Sequence, residues 1–238
     1  MVWEIFLSFH LAFLSLKSFF VPTYFSKVAS TFFPPCIFLA GVIQFDSEYN
    51  SEVYMNEKIN TALSLAASVG FEQSASLAAD ALIFREEVRA MCHVDRCRSY
   101  GKTWTCPPAC GTLEEMREKV SAYQEGILVE TIGKMEDEFD FESISQASAL
   151  HKKRFETLID ALHERGWQLL PMGAGRCTIC KECTYPDAPC RFPNRAMPSM
   201  EAAGLLVSDV CAKSGIPYYN GKNTTTFISC ILIKEKET

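Results

Sequence analysis

The sequence predicts an α/β (mixed α+β) fold: a single layered domain with a small mixed sheet, helices packed on it, and two cysteine-rich metal loops. Three observations carry this. Apolar runs of strand length alternate with stretches of helical period, the pattern of a sheet covered by helices. Gly, Pro and Asn stop signals separate those runs. Eight of the eleven cysteines fall in two short stretches outside them, and ligand loops commonly hang from such a scaffold.

The chain has 238 residues, enough to bury a core without staples. Residues 1–45 hold ten of the seventeen phenylalanines and only three charges, Glu4, Lys17 and Lys27. Val28–Phe45 is uncharged and long enough to weigh as a membrane span, but Pro34 and Pro35 would break a single helix there. Lys17 interrupts the apolar run a signal peptide would need, and the first charge, Glu4, has the wrong sign. Residues 1–54 therefore read as a hydrophobic N-terminal extension: an anchor, a packed addition, or an upstream addition to an older domain. The metal-binding domain is expected over 55–238.

Within 55–70, Ile59, Ala62, Leu63, Ala66 and Val69 share one helical face, and Gly70 is a stop. "ALIF", 81–84, suits a strand. "TLEEMREKVSAY" reads as a helix, with Thr112 and Glu115 as a capping box and Leu113, Met116 and Val120 at helical spacing. "GILVETI", 126–132, is a buried strand, and "EDEFD", 136–140, an acidic connection. The longest helix is expected over 143–165, with Ala147, Leu150, Phe155, Leu158 and Leu162 as its stripe and Gly166 as its end. His151 and His163 on it fall among charges and read as surface residues. "WQLLPM", 167–172, is the next strand. Ser199 suits an N-cap for a helix over 200–214 closed by Gly215. Asn220-Gly221 is a hairpin signal before a strand over Thr225–Ile233.

The second cysteine group is "GRCTICKECTYPDAPCRFP", with Cys177, Cys180, Cys183 and Cys190. The C-x2-C-x2-C spacing lets three thiolates wrap one face of a cubane, as in the opening of a ferredoxin run. The longer spacer before Cys190 lets the fourth fold back to the same cluster. Zinc is the alternative, although its structural sites favour two separated pairs, and Cys180 would belong to both. "GAG", 173–175, reads as a tight turn that brings amides near the sulfurs. Arg176, Lys181, Arg191 and Arg195 would offset the negative charge of a thiolate-bound cluster.

The first group, "CHVDRCRSYGKTWTCPPAC", carries Cys92, Cys97, Cys106 and Cys110. Its spacing matches no common zinc pattern, yet four thiolates suffice for a second cubane. Zinc and plain redox-reactive or buried thiols are the alternatives. His93 reads as a neighbour rather than a ligand, and Tyr100 and Trp104 as shields against water. Cys211 and Cys230 sit in apolar runs and read as small buried hydrophobes; Cys36 belongs to the extension.

A net charge of −6 without Lys/Arg runs argues against a nucleic-acid partner. An odd cysteine count concentrated in loops argues for metal in a reducing compartment, hence a cytoplasmic protein, over a secreted disulfide scaffold. Membrane association would come only through residues 1–54.

Together "CRSYGKTWTCPPACGTLEE" and "GRCTICKECTYPDAPCRFPNRAMPSMEAAG" resemble a cysteine-rich family of predicted metal-binding proteins, a domain of unknown function. The resemblance spans roughly residues 55–238. It implies metal ligation by the eight cysteines that match its two motifs, and it implies no particular reaction.

The expected function is thus a metal-binding protein carrying one or two [4Fe-4S] clusters, in electron transfer with a redox partner protein. The alternatives are a zinc-binding structural or regulatory module and an iron–sulfur enzyme acting on a small molecule. No acid–base pair or activated nucleophile stands out for the last.

Overall fold

The computed structural model describes residues 47–236. Its centre is a four-stranded sheet of β1 (Gln73–Ala78), β2 (Glu125–Lys134), β3 (Trp167–Met172) and β4 (Thr224–Glu235), in the order β1-β2-β4-β3. Every pairing is antiparallel. The mixed α+β class holds, and the sheet within it is antiparallel throughout rather than mixed.

The two central strands are covered on both faces, which explains their nearly continuous apolar runs. Ile127, Val129, Ile231 and Ile233 meet Ile59, Ala62 and Ala66 of α1 (Ser47–Val69) and Phe155, Leu158 and Leu162 of α4 (Phe141–His163). Leu128, Cys230 and Leu232 meet Met116 and Val120 of α3 (Leu113–Ser121) and Val207, Val210 and Cys211 of α5 (Val207–Ser214). The result is three layers with the sheet in the middle.

α1 ends at Gly70, whose φ of +100° suits only glycine well. It is described from Ser47 onward, so the expected boundary at Met55 falls inside a helix. The rest of the N-terminal extension, Cys36 included, lies outside the described residues. α3 carries the expected capping box: the Thr112 hydroxyl accepts from the Glu115 N–H at 3.1 Å, and Glu115 accepts from the Thr112 N–H at 2.7 Å. Asp140, at the end of the acidic connection, caps α4 through the Ser143 N–H.

Four expectations are corrected. The first strand is Gln73–Ala78, not 81–84. It is an edge strand of Ser and Ala with only Leu77 buried, so apolar alternation could not reveal it. In "ALIF" Ile83 is 47% exposed, and Phe84 makes a single bridge to Leu205. On α4, Leu150 is 44% exposed and His151 is 1% exposed, so the buried stripe runs Ala147, His151, Phe155, Leu158, Leu162. Ser199 does cap a turn, accepting from the Ala202 N–H at 3.1 Å. No helix follows, because Gly204 takes φ +89° and Leu205 leaves to pair with Phe84; α5 begins at Val207. Finally, Asn220-Gly221 makes no hairpin: the turn before β4 falls on Lys222 and Asn223, no strand precedes it, and β4 pairs with β2 and β3 instead.

Among the described residues no helix is long and apolar enough to cross a membrane.

Candidate metal centre

The first cysteine group is built on α2 (Glu86–Ala90), which continues into a 3-10 turn, Met91–Val94, carrying Cys92. The expectation that every cysteine of the groups lies in an irregular loop is thus modified at this one. The chain reverses at Asp95, in the left-handed region at φ +50°. The Asp95 carboxylate accepts from the Tyr100 N–H at 2.9 Å and pairs with Lys102 at 3.1 Å. Those two partners, the amide first, hold its carboxyl below the usual range. The Ser99 hydroxyl donates to the Cys97 carbonyl, and the Gly101 N–H to Pro107. One backbone turn joins the last two thiols, with the Cys110 N–H on the Cys106 carbonyl at 3.1 Å.

These bonds fold the stretch that carries the four thiols. Burial pushes the Cys92 thiol up, and Cys97, Cys106, Glu201 and Cys110 push it further by repulsion. Cys110 is also raised by burial; Arg89 opposes this, donating to its Sγ at 3.4 Å and to the Gly111 carbonyl. His93 is not gathered in: its Nε2 bonds the Tyr100 hydroxyl at 2.6 Å and the two rings pack at 4.2 Å.

The second group leaves β3 at Gly173 and returns at Ser199. The base of this loop is tied by Gly173 N–H to Pro198 O at 2.9 Å and Met200 N–H to Gly173 O at 3.0 Å. Gly173 thus spends its amide on the clasp; the Ile179 amide opposes the upward push of burial on the Cys177 thiol. Inside the loop, Thr184 accepts from the Ala188 N–H and donates to the Pro189 carbonyl, and Arg191 donates to the Glu182 carbonyl. Lys152 reaches over from α4 to the Arg176 carbonyl at 2.8 Å and the Thr178 hydroxyl at 3.3 Å. Its own ammonium is lowered by burial and by Arg176. Arg195 lies between Glu156 and Asp160, at 3.6 and 3.7 Å.

Cys177, Cys180, Cys183 and Cys190 all line one small cavity, closed on another side by Thr103, Trp104 and Thr105 of the first loop. The Cys177 thiol is raised by burial and then by Cys180, Cys190 and Cys183. Between the loops runs a larger cleft of about 960 Å³ that touches Cys110 and Cys190, with Leu169–Pro171 of the edge strand β3 on its wall. Trp104 borders both spaces. It is therefore more than the expected shield: its indole N–H donates to the Ala188 carbonyl at 3.1 Å and its ring meets Tyr185 edge-on at 5.0 Å.

Cys211 and Cys230 are fully buried in the core, away from both groups. The Cys211 thiol is pushed up to about 11, by burial first and Glu130 second, and burial raises Cys230 as well. Both are inert, as expected of small buried hydrophobes.

Three residues of this region were not visible as important in the sequence. Lys152 and Arg89 act through loop carbonyls, for which no motif exists. His151 had a signal, because it falls between Ala147 and Phe155 at helical spacing, but its charged neighbours masked it. Its Nδ1 bonds the Thr131 hydroxyl at 3.0 Å and its Nε2 the Ser229 hydroxyl at 2.7 Å.

All ten described cysteines are free thiols. Among the described residues no group of three or more His, Cys, Asp and Glu side chains is placed to hold a metal ion. The donor set fits a thiolate-bound metal in kind: eight soft sulfurs, four of them lining one cavity, the choice for zinc, copper(I) or iron–sulfur. Burial and mutual repulsion disfavour four thiolates without a cation among them.

A cysteine-rich α+β domain with two sets of four thiols on neighbouring loops is the class this fold and site define. The chain belongs to the family of predicted metal-binding proteins DUF2284, whose model matches residues 75–233. Comparison with curated proteins and with solved structures gave no match.

Proposed function

We propose that the chain is an iron–sulfur protein, holding [4Fe-4S] clusters on Cys177, Cys180, Cys183 and Cys190 and on Cys92, Cys97, Cys106 and Cys110, and that it exchanges electrons with a partner redox protein in the cytoplasm. The observation that carries the reading is the second group: C-x2-C-x2-C plus a returning Cys190, all four lining one cavity. Arg191 on the cavity wall and the Ile179 amide at Cys177 supply the positive partners a thiolate-bound cluster calls for. The cleft between the loops would give a partner access to both groups. When bound, such clusters supply one-electron chemistry; the chain's own residues hold the thiols, neutralise their charge and limit water.

Anaerobic purification of the full chain, with iron, acid-labile sulfide and zinc analysis, tests this. Brown protein with sulfide, and a visible band that dithionite bleaches, is the expected result. Colourless protein with stoichiometric zinc and no sulfide, even after reconstitution, would replace it with the zinc-module reading. The size of the cleft favours one second reading, an iron–sulfur enzyme acting on a small molecule; a cluster spectrum that shifts on adding a metabolite would select it.

A further inference from the structure

We propose that Trp104 is a positioning residue that couples metal loading of the two thiol groups, so that filling one prepares the other. This rests on the reading that both groups bind metal through thiolates, and it holds for iron or zinc alike.

Each group is completed by residues from the other's loop. Thr103, Trp104 and Thr105, just before Cys106, form a wall of the cavity that Cys177, Cys180, Cys183 and Cys190 line. In return, the turn that closes the second loop covers the first group. The Cys110 thiol reaches the Ala202 carbonyl at 3.7 Å. Trp104 makes the direct tie. Its N–H bond to Ala188 and edge contact with Tyr185 grip the segment between Cys183 and Cys190.

Ordering a loop costs conformational entropy. A metal that fixes the first loop fixes Trp104, and with it a wall and two anchor points of the second. The second ion then meets a loop already partly ordered, which is positive coupling without any large movement. Linkage makes the effect reciprocal.

The test is a titration of the full chain, reduced and stripped by chelator, with Co²⁺ alone under anaerobic conditions, following thiolate-to-cobalt absorption. The wild type is expected to fill both groups in one cooperative course. Trp104→Ala should keep the stoichiometry, lose the cooperativity and weaken the second-filled group about tenfold. Trp104→Phe keeps a ring against Tyr185 but loses the bond to Ala188, and should fall between. A merely structural role would lower stability without changing the shape of the isotherm. Superimposable wild-type and Trp104→Ala curves, or independent filling in the wild type, overturn the proposal.

Cys180→Ser supplies a second measurement. It should weaken the first group's affinity in the wild-type background and have little further effect with Trp104→Ala; equal effects in both backgrounds also overturn the coupling. Absence of any thiolate–cobalt band in the wild type would instead sink the metal reading on which this inference stands.

Discussion

His151 allows a quantitative prediction about stability. Its ring is 1% exposed, packs near Phe71, Phe155 and Phe227, and has a hydroxyl at each nitrogen. Burial first, then Arg154 and Lys152, pulls its pKa down to about 3. The neutral ring, with one donor and one acceptor, is therefore the folded form, whereas the unfolded chain takes up a proton near pH 6.5. A folded value below the unfolded one contributes stability that is complete above about pH 6.5 and is lost as pH falls towards 3. The slope is about 1.4 kcal/mol per pH unit, so this residue alone should remove about 2 kcal/mol by pH 5. Other groups titrate in this range, so the quantity to measure is a difference. Wild type and His151→Gln are unfolded in urea at about pH 7, 6 and 5 and followed by far-UV circular dichroism. At pH 7 the variant should be the less stable, having lost well-aimed buried hydrogen bonds. That gap should shrink by about 2 kcal/mol on going to pH 5. A gap constant to within about 0.5 kcal/mol would mean that His151 is not a buried neutral histidine.

The other predictions concern the thiols, the sheet and one carboxylate. Cys180→Ala should lose the metal of the second group and retain that of the first, whereas Cys211→Ala should retain both; metal loss from Cys211→Ala would make a ligand of a core residue. Gly126→Ala should cost about 3 kcal/mol or more in urea unfolding, since a Cβ there would lie 2.1 Å from the Ile231 carbonyl oxygen of the neighbouring strand. A loss below about 1 kcal/mol would show the β2–β4 ladder to be far more yielding than its register implies. Glu130 is fully buried, with Oε1 bonded to Asn220 and Oε2 without a partner; burial is the first cause of its raised pKa. Its penalty is absent at low pH and appears as pH rises through the unfolded and then the folded value. Glu130→Gln should therefore stabilise the chain at pH 7 and lose that advantage below about pH 4. Equal effects at both pH values would contradict a charge origin.

The parts of the fold that the sequence displayed are those where burial is two-sided or one-sided along a whole element. β2 and β4, the capped α3 and the long α4 each bury enough of one repeating pattern to be read directly, and β3, with only Met172 fully buried, showed through its apolar run. β1 escaped because an edge strand of small residues has little to bury. The helix expected over 200–214 failed at Gly204, where a bridge to Phe84 outweighs the propensity of "EAAG". The eight thiols stand as two groups in the sequence, but the contacts between their loops could not be read there. The contact from Trp104 to Ala188 joins residues far apart in the chain, and so do Lys152 to Arg176 and Cys110 to Ala202. Such contacts depend on how β3 and α3 are placed, which no local motif encodes.

The clasp at Gly173 has a further consequence. The second thiol loop leaves and re-enters the scaffold through backbone bonds made at its own feet, Gly173 to Pro198 and Met200 to Gly173. A segment so footed is portable. Evolution could exchange its interior, or an engineer could graft another ligand set between Gly173 and Ser199, with the sheet still folding beneath it. Hydrogen exchange should then show the segment opening as a unit of its own, well before β2 and β4 do.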